Sequence, residues 1–493
     1  MQEESNHFEA NRMNEYLRVY DYGEYLNYFD YILMRNIFIK KDAYDLSEID
    51  SILAKYQFKR TNEDNQNILS AIKQHSERCA IDTLWIIPTF SCNHLCTYCH
   101  IMHNSAINRD IHISEENLHN GIDSFIKKAG TRQKYVAFYG GEPLLCFNLI
   151  RRAIDYIKNL DNKTEINIFT NGSMINDEIA QYIFENSIFI VISIDGPSEL
   201  HDKARKMRNG ESSHAAAIKG IEILKRHGCS FGVNAVLSKA ISADIVETID
   251  FLIDLEPKEI GCNSLHFFFD GENPLEVTAK ESAEAFIVLF SHAREKGIML
   301  DHLLNRTRLN LFAHFIFRYV KLKDCPACGN RIVLTPDGKM GYCEGFSSSG
   351  YDYFRIADIE TPPAISSYQK WKKLSPFLNP GCNDCECIGL CGGNCPYDAF
   401  VRKKVLTVMD DFRCEQCRIM VEWINRELYE ALRMKIEGNS IYLVKDEDRL
   451  VLLGDSYESR KNQIWYCSGY DVLSIDSRNL EKCLNTVSTR NEV

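Results

Sequence analysis

Ten of the chain's 19 cysteines fall between Cys325 and Cys417, and three more stand close together at Cys92, Cys96 and Cys99. No other feature of the sequence restricts the fold so strongly. The first ten residues are polar and acidic, with no basic segment leading into an apolar one, so no secretory signal is expected. The expected location is the cytoplasm, a reducing compartment, where clustered cysteines predict metal sites rather than disulfides. A stretch as rich in Cys and Gly, and as poor in apolar runs, as residues 324–417 is expected to be a small domain organised by metal.

The rest of the chain has the means to build an ordinary core. Its 493 residues suggest two to four domains, and 45% hydrophobic with 26% charged residues is a globular profile. No apolar run reaches the roughly 18 residues of a spanning helix, so no membrane segment is expected. The net charge of −12 argues against nucleic acid as a partner, since phosphate-backbone binding needs a basic surface. The short basic group Arg402, Lys403 and Lys404, with Arg413 beyond it, reads as a solvated face.

From Thr83 onward, short β-type runs alternate with helical patterns. Strands are expected near residues 83–89, 135–139, 165–170, 189–194, 231–237 and 265–269. The clearest helix starts at Ser114, an N-cap residue followed by Glu115 and Glu116. It carries Leu118, Ile122, Phe125 and Ile126 on one face and stops at Gly130. A second runs over about 215–227. Six strand–helix units in a row predict an α/β fold: a parallel sheet closed, or partly closed, into a (β/α)6 barrel of the TIM type. In such a barrel functional groups lie at the C-terminal ends of the strands. Gly140-Gly141-Glu142-Pro143, Thr170-Asn171-Gly172 and Ser193-Ile194-Asp195-Gly196-Pro197 are expected there.

Cys92, Cys96 and Cys99 form a C-x3-C-x2-C triplet just after the first expected strand. Three thiolates on one loop can each bind one iron of a four-iron cluster, whose full ligation takes four. The fourth iron is then free to chelate the amino and carboxylate groups of a small molecule. A structural zinc site is the competing reading, with His94, His100 or His103 as fourth ligand.

With Tyr98 before its last cysteine, the triplet resembles the signature of radical S-adenosylmethionine (SAM) enzymes. The Gly140–Pro143 segment resembles that superfamily's motif for the methionine amino group. Asn171, Ser193 and Asp195 resemble positions near the ribose and carboxylate, and Arg205 is a candidate partner of the cofactor carboxylate. The resemblance implies a [4Fe–4S] cluster that reductively splits SAM. The resulting 5′-deoxyadenosyl radical then takes a hydrogen atom from a substrate, and a flavodoxin- or ferredoxin-type donor supplies the electron.

Further on, Cys328, Gly338 and Cys343 are followed by Cys382-x2-Cys385-x5-Cys391-x3-Cys395 and Cys414. This resembles the seven-cysteine SPASM domain that follows the barrel in peptide- and protein-modifying members. Such domains hold two auxiliary four-iron clusters, which brings the expected total to three. Seven cysteines are one short of two full sets, and Cys325 is the natural eighth. The resemblance implies Cys325, Cys328, Cys343 and Cys395 for one cluster, and Cys382, Cys385, Cys391 and Cys414 for the other. Cys387 and Cys417 remain alternatives, and a zinc-ribbon-like module is the competing reading. Glu344 follows Cys343 where sulfatase-maturating relatives typically carry an Asp base, which makes it a candidate proton acceptor. Tyr342 and Tyr397 are further candidates.

The expected organisation is an N-terminal α+β extension (1–80), a barrel (81–310), a SPASM domain (311–438) and a tail (439–493) with β-like segments at 440–444 and 450–453. Aromatic and β-branched runs over 14–41, with a short helix over 46–56, fit either a domain that takes a leader peptide as an added strand or an extension packed on the barrel. The leading expectation is a maturase of a ribosomally made peptide, installing a crosslink, thioether or related change. A sulfatase-maturating enzyme is the alternative, and a non-catalytic iron–sulfur or zinc protein is the third reading.

Overall fold

The computed structural model describes residues 16–77, 79–101, 108–265, 275–296, 310–347, 349–453 and 471–474. The chain opens with an antiparallel meander of β1 (Leu17–Tyr22), β2 (Tyr25–Asp30) and β3 (Arg35–Lys40). Helices Leu46–Lys55 and Asn62–Ser76 follow. Each starts in a capping box: Asp45 with Glu48, and Thr61 with Asp64. These reciprocal bonds satisfy amides that a helix start leaves unpaired.

The central sheet follows the expected pattern. Strands β4 (Thr83–Ile86), β6 (Tyr135–Phe138), β7 (Glu165–Thr170), β8 (Phe189–Ser193), β10 (Phe231–Leu237) and β11 (Glu259–Ser264) pair in parallel, in chain order. Two short strands, β5 (His94–Cys96) and β9 (Arg205–Met207), form a separate antiparallel pair. The helix Glu115–Ala129 begins at Ser114, whose hydroxyl accepts from the Asn117 amide, and ends at Gly130 with φ 60°. The second expected helix spans Ser213–Arg226.

The sixth strand lies earlier than its expected position at 265–269, of which 266–269 fall outside the described residues. Glu259–Ser264 pairs with β10 instead, burying Ile260 and Cys262. Gly261 leaves room there for Asn234, whose Oδ1 lies 2.3 Å from where a Cβ would stand.

The sheet does not stop at the end of the barrel segment. β12 (Tyr319–Lys323) leads to β13 (Arg331–Leu334), which pairs in parallel with the free edge of β4. β14 (Lys339–Gly341) and β15 (Phe354–Arg355) extend it antiparallel, giving nine strands in one sheet. The cysteine-rich segment is thus hydrogen-bonded directly to the first barrel strand.

The long helix Asp411–Ile436 joins this body to the N-terminal meander. Buried Asn27, Asn36 and Asn425 bond to one another, and Arg449 donates to Asn36 Oδ1 (2.8 Å) and the Phe315 carbonyl oxygen (2.9 Å). Buried polar groups need such partners, so this network fixes how the two ends of the chain meet. Strand β16 (Ile441–Leu443), at the expected 440–444 segment, pairs antiparallel with β3. Residues 450–453 are not a strand: Glu447–Leu453 is a 3₁₀ turn that buries Arg449, Leu452 and Leu453 together. β17 (Asp471–Ser474) pairs with β12. Among the described residues no helix is long and apolar enough to cross a membrane.

The basic group beyond the barrel is neutralised locally. Arg402 pairs with Glu276 (2.8 Å) and Lys403 with Asp411 (2.6 Å), while Arg413 is buried.

Candidate functional site

All four singled-out segments meet at the C-terminal edge of the parallel sheet. The triplet loop leaves β4, Gly140–Pro143 follows β6, Thr170 ends β7, and Ser193 ends β8. The triplet loop is held as a strand, with Cys96 opposite Arg205 in the β5–β9 pair. Thr97 N donates to Ala204 O (2.8 Å), and Arg208 Nε to Cys92 O (2.8 Å). The three thiols lie close enough to influence one another. Burial pushes the Cys92 and Cys96 thiols up, and neighbouring thiols add to the rise.

The two glycines of the 140–143 segment let it lie directly against this loop. A Cβ on Gly141 would fall 2.1 Å from the Ser91 carbonyl oxygen, and one on Gly140 would meet Ile87 Cγ2 at 2.6 Å. Gly140 also takes φ 131°, which other residues rarely adopt. Gly141 N and Glu142 N donate to Thr89 O (3.0 Å) and Ser91 O (2.8 Å).

Glu142 clamps two strand ends together. Its Oε1 accepts from Thr170 Oγ1 (2.6 Å) and Leu144 N (3.0 Å), and its Oε2 from Asn171 N (2.8 Å). Asn171 Nδ2 in turn reaches Asn93 Oδ1 (2.8 Å), within the triplet. Burial raises the Glu142 carboxyl to about 7, against the opposing pull of these three bonds. A carboxyl whose pKa rises on folding favours the protonated folded form. Stability is therefore full below the ordinary value of 4.5 and declines as pH climbs toward about 7. The cost is on the order of 3 kcal/mol at 1.36 kcal/mol per unit. Glu142→Gln will flatten that decline, so urea unfolding at pH 5 and pH 8 will differ less in the variant than in the parent. An equal pH difference in both proteins would refute the clamp's protonation.

Tyr98, Asp195 and Arg205, each expected at the cofactor, are engaged with one another. Arg205 Nε and Nη2 bond Asp195 Oδ2 (2.8 Å) and Oδ1 (3.1 Å), and the Tyr98 hydroxyl donates to Asp195. Val236 N donates to Asp195 Oδ1 (3.0 Å), and Asp195 N donates to His201 Nδ1 (3.1 Å). Burial pushes the Asp195 carboxyl up, but the Arg205 guanidinium outweighs it and holds the group below its usual range. Arg205 thus meets a carboxylate of the chain itself. Of the histidines weighed as a fourth metal ligand, His94 is buried and pushed down to about 4 by burial and Arg205, and His103 lies outside the described residues.

The auxiliary cysteines gather into two groups. Cys325, Cys328, Cys343 and Cys395 are drawn from three segments. The Cys328 thiol is raised by its hydrogen bond to Cys325 and by burial, and burial, Glu344, Cys325 and Cys395 raise Cys343. Cys382, Cys385, Cys391 and Cys414 form the second group, with both alternatives, Cys387 and Cys417, among them. Asn394 Nδ2 reaches Cys414 Sγ at 3.4 Å, and Gly393 N reaches Cys391 Sγ at 3.3 Å. Among the described residues no three His, Cys, Asp or Glu converge to hold a single ion. A four-iron cluster does not ask for that, since each thiolate binds a different iron. The sulfur-only donor sets fit such clusters.

Between the triplet and the auxiliary groups lies an aromatic patch that the sequence did not reveal. Along the strands, buried residues such as Leu84, Ile86, Phe138, Ile168 and Ile192 alternate with partly exposed Trp85, Tyr139, Phe169, Ser193 and Asn234. The alternation marks two faces. Trp85 lies 5.0 Å from Tyr139 and 5.6 Å from Phe169, ring to ring. Arg331 stacks on Trp85 (4.5 Å) and pairs with Glu344 (2.5 Å). Tyr353, like Trp85 and Cys99, packs against the buried cluster of Ile87, Phe90, Ile101 and Val333, and it donates to Cys343 O (2.9 Å). The His100 and Tyr397 rings stand 6.2 Å apart, joining the triplet loop to the segment after Cys395. Tyr342 lies elsewhere, donating to Ala364 O beside Trp371.

Comparison with known proteins identifies the superfamily. Residues 86–252 match the Radical SAM superfamily. The radical SAM cyclopropyl synthase TigE of Paramaledivibacter caminithermalis is 27% identical over 425 residues, covering 79% of this chain and 85% of that protein. The serine-type anaerobic sulfatase-maturating enzyme of Bacteroides thetaiotaomicron is 30% identical over 346 residues, covering 63% and 81%. Among solved structures, native anSMEcpe with bound AdoMet aligns at TM-score 0.60 with 18% identity, over 72% of this chain and 99% of that one. SuiB of Streptococcus suis bound to precursor peptide SuiA aligns at 0.53 with 15% identity, over 81% and 99%. These two likenesses concern the fold. The chain is an enzyme that belongs to the radical SAM superfamily and is related to its peptide and sulfatase maturases.

Proposed function

We propose that this enzyme modifies a ribosomally made peptide, using SAM, a cluster on Cys92, Cys96 and Cys99, and two auxiliary [4Fe–4S] clusters. The observation that carries the reading is the aromatic patch shared by the two sides. The Tyr139 phenol, raised by burial, is pushed further by Glu344 on the auxiliary side and by Cys99 on the triplet side. A substrate held there is within reach of both.

When bound, the first cluster and SAM supply a carbon radical that removes a hydrogen atom. The chain's residues do the rest. Gly140, Gly141 and the Glu142 clamp shape the loop that meets the methionine end of SAM, with Pro143 opening the following turn. Asn171 and Ser193 face the remainder of the cofactor from the ends of their strands. Tyr98, Asp195 and Arg205 act as positioning residues that fix β5 and β9. Trp85, Tyr139 and Phe169 present aromatic walls that exclude water and hold an extended peptide side chain in place. Glu344, paired with Arg331, is the acceptor for a proton released as the substrate is oxidised. A low-potential ferredoxin or flavodoxin is the proposed donor.

The cyclopropyl synthase likeness covers more of this chain than the sulfatase-maturase one does, 79% against 63%. SuiB is recorded with a precursor peptide and anSMEcpe with the Kp18Cys peptide. The sulfatase-maturating reading is favoured by the 30% identity to such an enzyme. A leader adding as a strand would find the β3 edge already taken by β16 and the β1 edge as the sheet's other border.

Anaerobic co-expression with the short open reading frame nearest its gene, followed by mass spectrometry, tests the reading. The expected result is a peptide altered at one or a few residues. Formylglycine formed in a sulfatase-derived peptide, with the neighbouring peptide unchanged, would overturn it in favour of the alternative.

A further inference from the structure

Away from the aromatic patch, a buried sulfur and a buried amine are held in contact. Cys79, in the link between helix Asn62–Ser76 and β4, has its Sγ 2.5 Å from Nζ of Lys323, the last residue of β12. Cys79 is 6% exposed and Lys323 3%. The amine also donates to the Lys372 carbonyl oxygen at 2.6 Å. No carboxylate pairs with Lys323 among the described residues; the adjacent Asp324 pairs with Lys321. The sulfur sits where Gly329, at φ 131°, lacks a side chain: a Cβ there would lie 2.7 Å from Sγ. It also approaches the Cys328 carbonyl oxygen at 3.7 Å, which sets the pair against the first auxiliary cysteine group.

A buried Lys is ordinarily matched to a carboxylate. Here it is matched to a thiol in direct contact with it, close enough for one oxygen atom to join the two. Oxidised cysteine sulfur is captured by the nearest nucleophile, a second thiol or a nitrogen. The nearest one in this structure is an amine already fixed in place by the Lys372 carbonyl.

We propose that Cys79 and Lys323 form an oxidant-dependent covalent link, with the lysine nitrogen joined to the cysteine sulfur through one oxygen atom. Dioxygen is the oxidant. The S–H bond and one N–H bond break, and S–O and O–N bonds form. One oxygen atom enters the bridge, and the other leaves as water with the two hydrogens. The four electrons lost by sulfur and nitrogen reduce dioxygen. Two equivalents of a dithiol return four electrons and four protons, restoring thiol and amine and releasing the bridging oxygen as water. The link ties the segment entering the barrel to the strand that leads into Cys325 and Cys328, so it closes the chain around a site whose metal is itself sensitive to oxygen. It holds whichever residue of the substrate the enzyme modifies.

The test uses holoprotein prepared without air, with one portion then exposed to dioxygen. Both portions are denatured, alkylated, digested and analysed by mass spectrometry. The expected result is a joined pair of peptides containing Cys79 and Lys323, about 14 Da heavier than their sum, one oxygen gained and two hydrogens lost. It will be present only after exposure and will separate with dithiothreitol. Lys323→Arg and Cys79→Ser will each abolish it. The parent protein alone decides the question if either variant fails to fold. Recovery of Cys79 as a free thiol, as a sulfenic or sulfinic acid, joined to nitrogen without the oxygen, or in a disulfide with Cys328 would overturn the proposal.

Discussion

Cys96→Ala will reduce dithionite-driven SAM cleavage to background while leaving both auxiliary clusters in place. Cys96 lies on β5 opposite Arg205, and alanine can occupy that strand without disturbing its pairing. What it removes is one of only three thiols on the loop, and a four-iron cluster held by two cysteines is not retained. The parent protein, reconstituted without air, is expected to hold about twelve irons and the variant about eight, at four per cluster. The remaining iron should keep the absorption and paramagnetic spectra of fully cysteine-ligated clusters, because Cys325–Cys395 and Cys382–Cys414 are built from other segments. Iron near four in the parent would remove the two auxiliary clusters from the proposal. Retained cleavage in the variant would remove the triplet from its role.

The sequence made this centre legible because spacing is a local property. The triplet, the Gly-Gly-Glu-Pro segment and the strand ends at Thr170 and Ser193 could each be placed at one edge once six strand–helix units were counted. Strands Glu165–Thr170 and Phe231–Leu237 came out as expected, since both carry clean β-type runs. The sixth strand misled because 265–269 is richer in aromatic residues than Glu259–Ser264. Pairing with β10, and the room Gly261 leaves for Asn234, decide its place, and neither is visible in a window of single-chain sequence. The 450–453 segment misled similarly: its leucines suit a strand, but Arg449 must reach Phe315 and Asn36, and a turn delivers it there.

The aromatic patch was illegible for a different reason. Trp85 and Phe169 look like any buried strand residues, and only the curvature of the sheet separates those facing helices from those facing one another. Arg331 drew no attention because its partner Glu344 and its platform Trp85 come from distant segments. The second auxiliary group shows the opposite limit. Spacing singled out four ligands, yet folding gathers six sulfurs, so chain order ranks Cys414 ahead of Cys417 without spatial separation to support it.

Breaking the Asp195–Arg205 pair will have the largest effect on stability of any single charge in the barrel. Asp195 is 0% and Arg205 7% exposed, and the carboxylate accepts from Arg205, Tyr98 and Val236. Asp195→Leu leaves a guanidinium buried without its counter-charge, a change that costs about 3–5 kcal/mol. Arg205→Met leaves the carboxylate in the same position and should cost a similar amount. Removing both together is expected to cost clearly less than the sum, because no lone charge then remains; a double-mutant cycle on urea unfolding measures the difference. Tyr98→Phe gives up one hydrogen bond to a charged group, about 1.5–3 kcal/mol. The single-charge variants should also load less iron on the triplet, since β9 holds β5 through this pair and Cys96 stands directly across from Arg205. Additive losses in the cycle, or full iron loading in both single variants, would show that the pair neither couples nor positions the cluster loop.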